Sequence, residues 1–264
     1  MKILDKKMTF GVIVGTRGIF NPRLAVEGRR ELLARLSALG YSCVILPAKA
    51  TMHQAVETRA DAKKCAALFQ QHRDRIDGVI VSLPNFGDEL GVVETLDLAR
   101  LDVPVLVQAC SDRLDAVDLA GRRDAFCGKL SVCNNLYQYG IPFTDTRDHT
   151  CDIGSDAFVA DLEFFARVCR VVRGLRRARI GAIGARPAAF QTVRFSEKLL
   201  QGSGITVVPV DLSEIMGRAW QLDDKAKSVQ KRLSEIRTYG TIPDHVDPQA
   251  VVKQAKLSVV LERW

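Results

Sequence analysis

Short apolar runs alternate along the chain with longer segments of helical periodicity. The apolar runs predict strands at 10–14, 43–46, 78–81 and 103–108, followed by an extended segment at 141–144. The intervening segments predict helices at 23–39, 51–71, 88–100, 126–139 and 152–172, with Thr51, Asp88 and Asp152 as possible caps. Such alternation is typical of a doubly wound α/β domain with a flavodoxin- or Rossmann-like parallel sheet, and we expect the strand order 2-1-3-4-5.

A second unit begins after Gly174. Its pattern predicts strands at 179–183 and 205–210, and helices at 188–201, from 211, at 222–236 and at 247–264. Two strands are too few for an open sheet that is covered on both faces. The expected domains are therefore 1–173, an amino-terminal Rossmann-like domain, and 174–264, a partial second α/β domain. This second domain looks truncated, because no strand follows the final helical pattern at Trp264.

The charge of the chain is net +7, and much of the excess comes from one run of arginines. Arg167, Arg170 and Arg173 recur every third residue, which places them on the wet face of an amphipathic helix. No aromatic residues interleave the run, so we expect no nucleic-acid partner. The run leaves three interpretations open, which are a solvated face, a contact within an oligomer and a site for another polyanion.

The chain shows no sign of export or of insertion into a membrane. No apolar stretch approaches the roughly 20 residues of a membrane span, and the first residues lack the pattern of a signal peptide. The seven cysteines are scattered without CxxC spacing, which indicates reduced thiols. Together these features predict a cytoplasmic protein without a membrane partner.

Three polar loops follow predicted strands and therefore lie where parallel sheets bind ligands. They span 15–22, 82–89 and 108–112. In the first loop, Arg17 stands between Gly15 and Gly18, where it can contact a ligand hydroxyl or anion or form a structural salt bridge. The loop lacks both the dinucleotide fingerprint and the Walker pattern, which counts against a nucleotide-binding enzyme.

The second loop offers an amide, an aromatic ring and two carboxylates as candidate ligand contacts. These are Asn85, Phe86, Asp88 and Glu89; the alternative for the two carboxylates is that they cap the next helix. Asn134 and Asn135 are further candidates, since asparagine is mildly unfavourable inside a helix. Burial against a neighbouring subunit would explain these two asparagines equally well.

The remaining motifs give weaker indications of a functional site. His149 and Cys151 lie two residues apart without a second pair at ligand spacing, so we expect no metal ligand in this chain. Pro187 follows a glycine-containing turn and predicts the start of a helix there; the alternative is that the amides of this turn bind an anion.

The order and spacing of several segments resemble the amino-terminal part of L-fucose/L-arabinose isomerase-like proteins. The segments are 10–17, Glu27-Gly-Arg-Arg30, Leu83–Glu89, Phe126–Asn135 and Arg179–Gly184. The resemblance implies two α/β domains followed by a third, and an aldose–ketose isomerase that uses Mn²⁺. It also implies that the metal ligands lie beyond Trp264, so that no cofactor and no catalytic residue is expected in this chain.

The resemblance implies that this chain supplies residues that line one part of a substrate crevice. It implies that Arg17 helps to close the site of a neighbouring subunit and that Asn85 and Phe86 approach the sugar. The expected partners are a sugar and either further copies of the chain or a chain supplying the missing part. A chain without the metal site should be inactive alone. A noncatalytic cytoplasmic protein that binds a sugar or regulates another process is the alternative.

Overall fold

The structure, a computed structural model, describes residues 7–264 and contains a five-stranded parallel sheet. The strands are β1 (Thr9–Val14), β2 (Ser42–Val44), β3 (Gly78–Leu83), β4 (Val105–Ala109) and β5 (Thr144–Asp145). They pair in parallel in the order β2-β1-β3-β4-β5, which confirms the predicted order. The short apolar runs form strands because alternate side chains of each strand are buried on opposite faces of the sheet.

Helices cover both faces of this sheet, as the doubly wound prediction requires. The helices are α1 (Pro22–Ala38), α2 (Arg59–Gln71), α3 (Glu89–Ala99), α4 (Ala125–Gln138) and α5 (Asp156–Leu175). One apolar cluster joins Val79 and Val81 to α2, α3 and α4. The other joins Ile80 to α1 and α5. The predicted α/β fold class is therefore confirmed.

Two of the predicted helix starts are wrong. Thr51 follows a short 3₁₀ helix, Ala48–Ala50, and α2 begins only at Arg59. The reason lies in Thr58 and Asp61, which form a reciprocal capping box that satisfies the first turn of α2. Likewise Asp152 does not cap α5, because its carboxylate accepts a hydrogen bond from the backbone N–H of Ser111 instead.

The loops after β1 and β3 meet at the carboxyl edge of the sheet. The chain leaves β1 toward one side of the sheet through β2 and continues on the other side through β3 and β4. This change of direction is the topological switch point, where open α/β sheets form a ligand crevice between adjacent loops. The sheet topology therefore places two of the three candidate loops side by side.

The Cα positions group into two compact units, one up to Gly174 and the other from Leu175 to Trp264. The second unit has one parallel strand pair, β6 (Arg179–Ile183) and β7 (Thr206–Val210). Its helices are α6 (Glu197–Gly202), α7 (Leu212–Gln221), α8 (Lys227–Tyr239) and α9 (Pro248–Arg263). Two small apolar clusters hold these elements together, one around Val210 and one around Val229.

One long helix predicted in the second unit is absent. The segment 188–201 instead contains a 3₁₀ helix at Gln191–Val193 and the short α6, which Ser196 caps. Pro187 does not start a helix, because the guanidinium of Arg186 donates to the carbonyls of Pro187, Ala188 and Phe190 and holds a turn. None of the helices within residues 7–264 has the length and apolar character needed to cross a bilayer.

Candidate functional site

Arg17 lies in the crevice between the loops after β1 and β3. Its guanidinium carbon is 4.4 Å from the ring centroid of Phe86, a cation–π distance. Arg17 Nε is 3.7 Å from Oδ2 of Asp88, and Arg17 Nη2 is 3.8 Å from Oε1 of Glu89. Both separations exceed hydrogen-bond length, so the carboxylates hold the guanidinium by charge alone. Within residues 7–264 no side chain or carbonyl accepts a hydrogen bond from this guanidinium.

The backbone around Arg17 is closely packed. The N–H of Gly15 donates to the carbonyl of Ser82, and a Cβ added at Gly15 would lie 2.8 Å from Cδ2 of Leu83. At Gly18 an added Cβ would lie 2.7 Å from a carboxylate oxygen of Glu57. The contact at Gly15 is with a fully buried leucine that has little room to move, whereas the flexible side chain of Glu57 could turn away from Gly18. The close packing of Gly15 therefore helps to fix the position of Arg17.

Asn85 connects the two crevice loops from the inside. It is fully buried, its amide donates to Oγ1 of Thr16 at 2.9 Å, and its Oδ1 accepts from the N–H of Gly87 at 3.3 Å. A buried amide without partners is costly, and these bonds satisfy it. The side chain of Asn85 therefore faces the protein, and it shapes the crevice without being open to it.

Phe86 and Phe20 form the aromatic wall of the crevice. Their ring centroids are 5.6 Å apart and nearly parallel. Phe86 was a candidate from the sequence but Phe20 was not, although Phe20 stands in the same polar loop as Arg17. The position of Phe20, an aromatic residue within a polar loop at the end of a strand, could have indicated its place in the crevice.

The two carboxylates of the second loop have different surroundings. Asp88 caps α3, with its Oδ1 accepting from the N–H of Gly91 at 3.0 Å, as the capping alternative predicts. Glu89 is the first residue of α3, where a negative charge suits the positive end of the helix. Both carboxylates also face Arg17. Asp88 and Glu89 thus anchor the helix and orient the arginine together.

Asn134 and Asn135 do not lie at the crevice. The first turns of α4 pass close behind Phe86, where Gly128 meets the carbonyl of that residue. From Gly128 the helix runs six or seven residues to the asparagines, a rise of roughly 10 Å away from the carboxyl edge. Asn134 is exposed, and its Oδ1 accepts from the side chain of Gln138.

A cavity of about 470 Å³ opens beside the loop after β4, the third candidate loop. It has charged and polar walls that include three carboxylates and two guanidinium groups. The lining residues are Glu27, Gly28, Glu31, Cys110, Ser111, Arg113, Arg123, Asp152, Ile153, Gly154 and Ser155. Arg123 was not a candidate from the sequence, yet its guanidinium donates to the carbonyl of Pro84 at 2.6 Å and thereby holds the loop after β3. No local pattern marks such a distant contact.

The thiols of the first unit are mostly buried. Burial raises the pKa of Cys65 to about 12 and that of Cys169 to about 12. The same effect raises the pKa of Cys151 to about 11, although the neighbouring side chain of Thr146 opposes the change. A thiol that stays protonated is a poor nucleophile, so these cysteines have a packing role.

The described residues do not fit the manganese ion implied by the resemblance. Nowhere in residues 7–264 do three histidine, cysteine, aspartate or glutamate side chains converge as a metal site would require. Asp88 and Glu89 are neighbouring carboxylates of the type that binds manganese, but the guanidinium of Arg17 already faces both. No chemical step of this chain is therefore assigned to a metal.

The fold and the crevice define a flavodoxin-like α/β domain with its candidate site at the carboxyl edge of the sheet. The sequence profile described as fucose/sulfoquinovose isomerase, N-terminal domain, matches residues 11–176, well over half of the chain. The chain therefore belongs to the fucose/sulfoquinovose isomerase family and contains its N-terminal domain, which confirms the resemblance. No curated protein matches the chain closely enough to add a relative.

Proposed function

We propose that the chain forms one wall of the substrate crevice of a sugar isomerase, with Arg17 and Phe86 as its sugar contacts. One observation carries the proposal. The guanidinium of Arg17 rests on the Phe86 ring at the switch point, with its N–H groups free of hydrogen bonds to the described residues. Its side chain is 31% exposed, so a ligand in the crevice can reach it.

The chemistry of this pair suits a monosaccharide. A guanidinium presents parallel N–H groups that can donate to two neighbouring sugar hydroxyls at once. An aromatic ring beside it offers an apolar surface to the C–H face of a sugar ring. Asp88 and Glu89 keep the guanidinium in place before the sugar arrives, which lowers the ordering cost of binding.

The proposed role of this chain is substrate binding, and it does not include the chemical steps of isomerisation. Interconversion of an aldose and a ketose moves a proton or hydride between adjacent carbons, and it needs a base and an electrophile at the two oxygens. We propose that a complete family member binds Mn²⁺ for this purpose through residues supplied by a further part of the protein or by another chain. This chain contributes the crevice wall and oligomer contacts.

A single pair of variants tests the sugar contact. Arg17→Ala should weaken binding of L-fucose or sulfoquinovose, the two sugars in the family's name, by about tenfold or more, because a charged donor is lost from the crevice. The melting temperature should change little, since ion pairs at this exposure contribute about 0–1 kcal/mol. Binding is followed by NMR titration of the full chain.

Arg75→Ala is the matched control, because Arg75 is exposed and stands just before β3, at the edge of the sheet opposite to the crevice. Equal sugar affinity in the wild type and Arg17→Ala, together with a lowered melting temperature in Arg17→Ala, would assign Arg17 to structure alone. That outcome would remove it from the site.

A noncatalytic sugar-binding protein is the second candidate, because Arg17 and Phe86 can contact a sugar without a metal ion. Incubation of the chain with a panel of aldoses and Mn²⁺ tests whether the chain isomerises a sugar by itself, which neither candidate predicts. We expect no ketose above a control without protein. Turnover would contradict the proposal that the described residues provide only the crevice wall.

We further propose a cytoplasmic location. All seven cysteines are free thiols, which supports a reducing compartment.

A further inference from the structure

The cavity beside the loop after β4 is separate from the crevice of Arg17. The described residues that line it do not include those of the crevice wall, and they come mainly from α1, from the loop after β4 and from the segment before α5. Its volume of about 470 Å³ falls within the range of small-molecule sites. The cavity is therefore large enough for a ligand of its own.

Hydrogen bonds between distant residues hold the walls of this cavity in place. The buried amide of Gln108 donates to the carbonyl of Cys151 at 2.7 Å, which ties β4 to the segment before α5. The guanidinium of Arg35 donates to the carbonyl of Gly154 at 2.8 Å, which ties α1 to the same segment. The cavity is thus formed before a ligand arrives, which lowers the ordering cost of binding.

Glu27 and Glu31 give one wall of the cavity an unbalanced negative charge. They stand four residues apart on α1, so their carboxylates share one side of the helix. Among residues 7–264 neither carboxylate forms an ion pair or accepts a hydrogen bond. Like charges at this spacing repel each other, and a bound cation would relieve the repulsion.

A third carboxylate and one guanidinium lie around the buried thiol of Cys110 in the cavity wall. Burial raises the pKa of Cys110. Arg123 opposes this change, whereas Asp152 and Glu31 add to it, so all three charged groups lie near one thiol. The carboxylates are too far apart to hold one metal ion, since no such group of three occurs within residues 7–264. The negative wall therefore suits an organic cation.

The two guanidinium groups of the cavity differ in their partners. Arg113 donates two hydrogen bonds to Asp115, at 3.1 and 2.6 Å, so its charge is already balanced. Arg123 donates to the carbonyl of Pro84, a neutral group, and forms no ion pair with a carboxylate in the described part of the chain. The positive charge of Arg123 is therefore available to an anionic group of a ligand.

We propose that this cavity binds a small zwitterion, a molecule that carries both an ammonium group and a carboxylate, as free amino acids do. The ammonium group of the ligand lies beside the carboxylates of Glu27 and Glu31. The carboxylate of the ligand meets the guanidinium of Arg123, which can donate two parallel hydrogen bonds to it. The inference does not rest on the sugar-binding role of the crevice.

The walls of the cavity disfavour other classes of ligand. The carboxylates of α1 repel a simple anion, and the guanidinium of Arg123 repels a simple cation. Sugars and nucleobases are commonly held against an aromatic ring, and no aromatic side chain lines the cavity within the described residues. A zwitterion places each of its charges beside the opposite charge.

NMR titration of the full chain tests the proposal with glycine, 4-aminobutyrate and 6-aminohexanoate, three zwitterions of increasing length. At least one should shift the amide signals of Ser111 and Gly154. It should bind about tenfold or more tightly than the simple carboxylate and the simple amine of the same chain length, because only the zwitterion meets both walls. No shift with any of the three at about 50 mM would overturn the proposal. So would a single-charge probe that binds as tightly as its zwitterion.

Variants of the negative wall test the ammonium position. Glu27→Gln combined with Glu31→Gln should lower the affinity for the tightest-binding zwitterion about tenfold or more, because it removes both charges and keeps the shape of the side chains. Both residues are exposed in the chain, so the melting temperature should stay unchanged. Glu163→Gln is the control, because Glu163 is an exposed carboxylate on α5 that does not line the cavity. Unchanged affinity in the double variant would refute the proposal.

Variants of the two arginines test the carboxylate position. Arg123→Gln should lower the affinity about tenfold or more, because it removes the unpaired guanidinium. Arg113→Gln is the matched control within the same cavity, since Asp115 already pairs with Arg113, and it should change the affinity less than about twofold. Equal losses in the two variants, or no loss in Arg123→Gln, would overturn the assignment of the ligand carboxylate and with it the proposal.

Discussion

Asp77 shows how one buried side chain ties distant parts of the first unit together. Its carboxylate accepts from the backbone N–H of Thr9 at 2.9 Å and pairs with the guanidinium of Arg173 near the end of α5. The residue is 4% exposed, so water cannot replace a lost partner. The starts of β1 and β3 and the end of α5 therefore depend on a single carboxylate.

Replacing Asp77 by alanine should lower the free energy of unfolding by about 3 kcal/mol, because it leaves a guanidinium and a backbone N–H without their acceptor. Urea unfolding followed by circular dichroism measures the loss. Asp74→Ala, three residues earlier and exposed, is the control and should change stability by less than about 0.5 kcal/mol. Equal effects of the two substitutions would contradict this account.

The buried thiols predict a loss of stability at alkaline pH. Burial raises the pKa of Cys65 and of Cys169 from 9.0 to about 12. Between these values the unfolded thiols ionise while the folded ones keep their protons, so each contributes stability below about pH 9 that is lost as the pH rises toward 12. The free energy of unfolding should therefore fall with pH over this window.

The measurement is urea unfolding at a series of alkaline pH values. Cys65→Ala combined with Cys169→Ala should give a shallower dependence on pH, whatever its effect on stability at neutral pH. Cys127→Ala, at an exposed position, is the control. Parallel pH curves for the wild type and the double variant would show that other groups cause the alkaline loss.

At the scale of elements, the contact between α4 and the loop after β3 decides the shape of the crevice. The glycine at position 128 lets the helix backbone lie directly against the backbone of Phe86. A Cβ at this position would overlap the carbonyl of Phe86, and that carbonyl belongs to the residue that supports Arg17. The close approach of a helix therefore determines where a crevice side chain lies.

Gly128→Ala should destabilise the chain by about 2–3 kcal/mol, because the helix or the loop must move. It should also shift the NMR signals of residues near Phe86. Gly174→Ala is the matched control, since position 174 also lies in a helix but an added Cβ there meets nothing within 4 Å. The control should be neutral or more stable by about 0.5–1 kcal/mol. Identical melting curves for Gly128→Ala and the wild type would contradict the close approach.

At the scale of the whole molecule, the two units differ in how much apolar surface they bury. The first has two large clusters on the two faces of a five-stranded sheet. The second has two small clusters, and its strand β6 is largely exposed. Burial of apolar side chains is the main source of stability, so the units should open with different free energies.

Hydrogen exchange monitored by NMR should show this difference. Amides of β1 and β3 should exchange at least about a hundredfold more slowly than amides of β6 and β7. Both sets are bonded in parallel ladders, so strand geometry alone would make them similar. Slower exchange in the second unit would show that its stability comes from contacts other than the apolar clusters.

The apolar pattern of the sequence determined the fold class and most of the elements. Buried parallel strands are short and apolar on both faces, so their positions and the order 2-1-3-4-5 were predictable. The strand-end loops were predictable too, because a parallel sheet always collects them at one edge. On this basis Arg17, Phe86 and Asp88 were expected at the same crevice, and the structure brings them together.

The tertiary structure alone decided which polar residues face the crevice and which face the protein. The bond from Asn85 to Thr16 joins residues 69 positions apart, and the one from Arg123 to Pro84 joins residues 39 positions apart. It also decided that Asn134 lies away from the crevice, on an outward helix face. Periodicity reports which side of an element is buried. The distance between two elements depends on packing of side chains far apart in the chain, which no local pattern records.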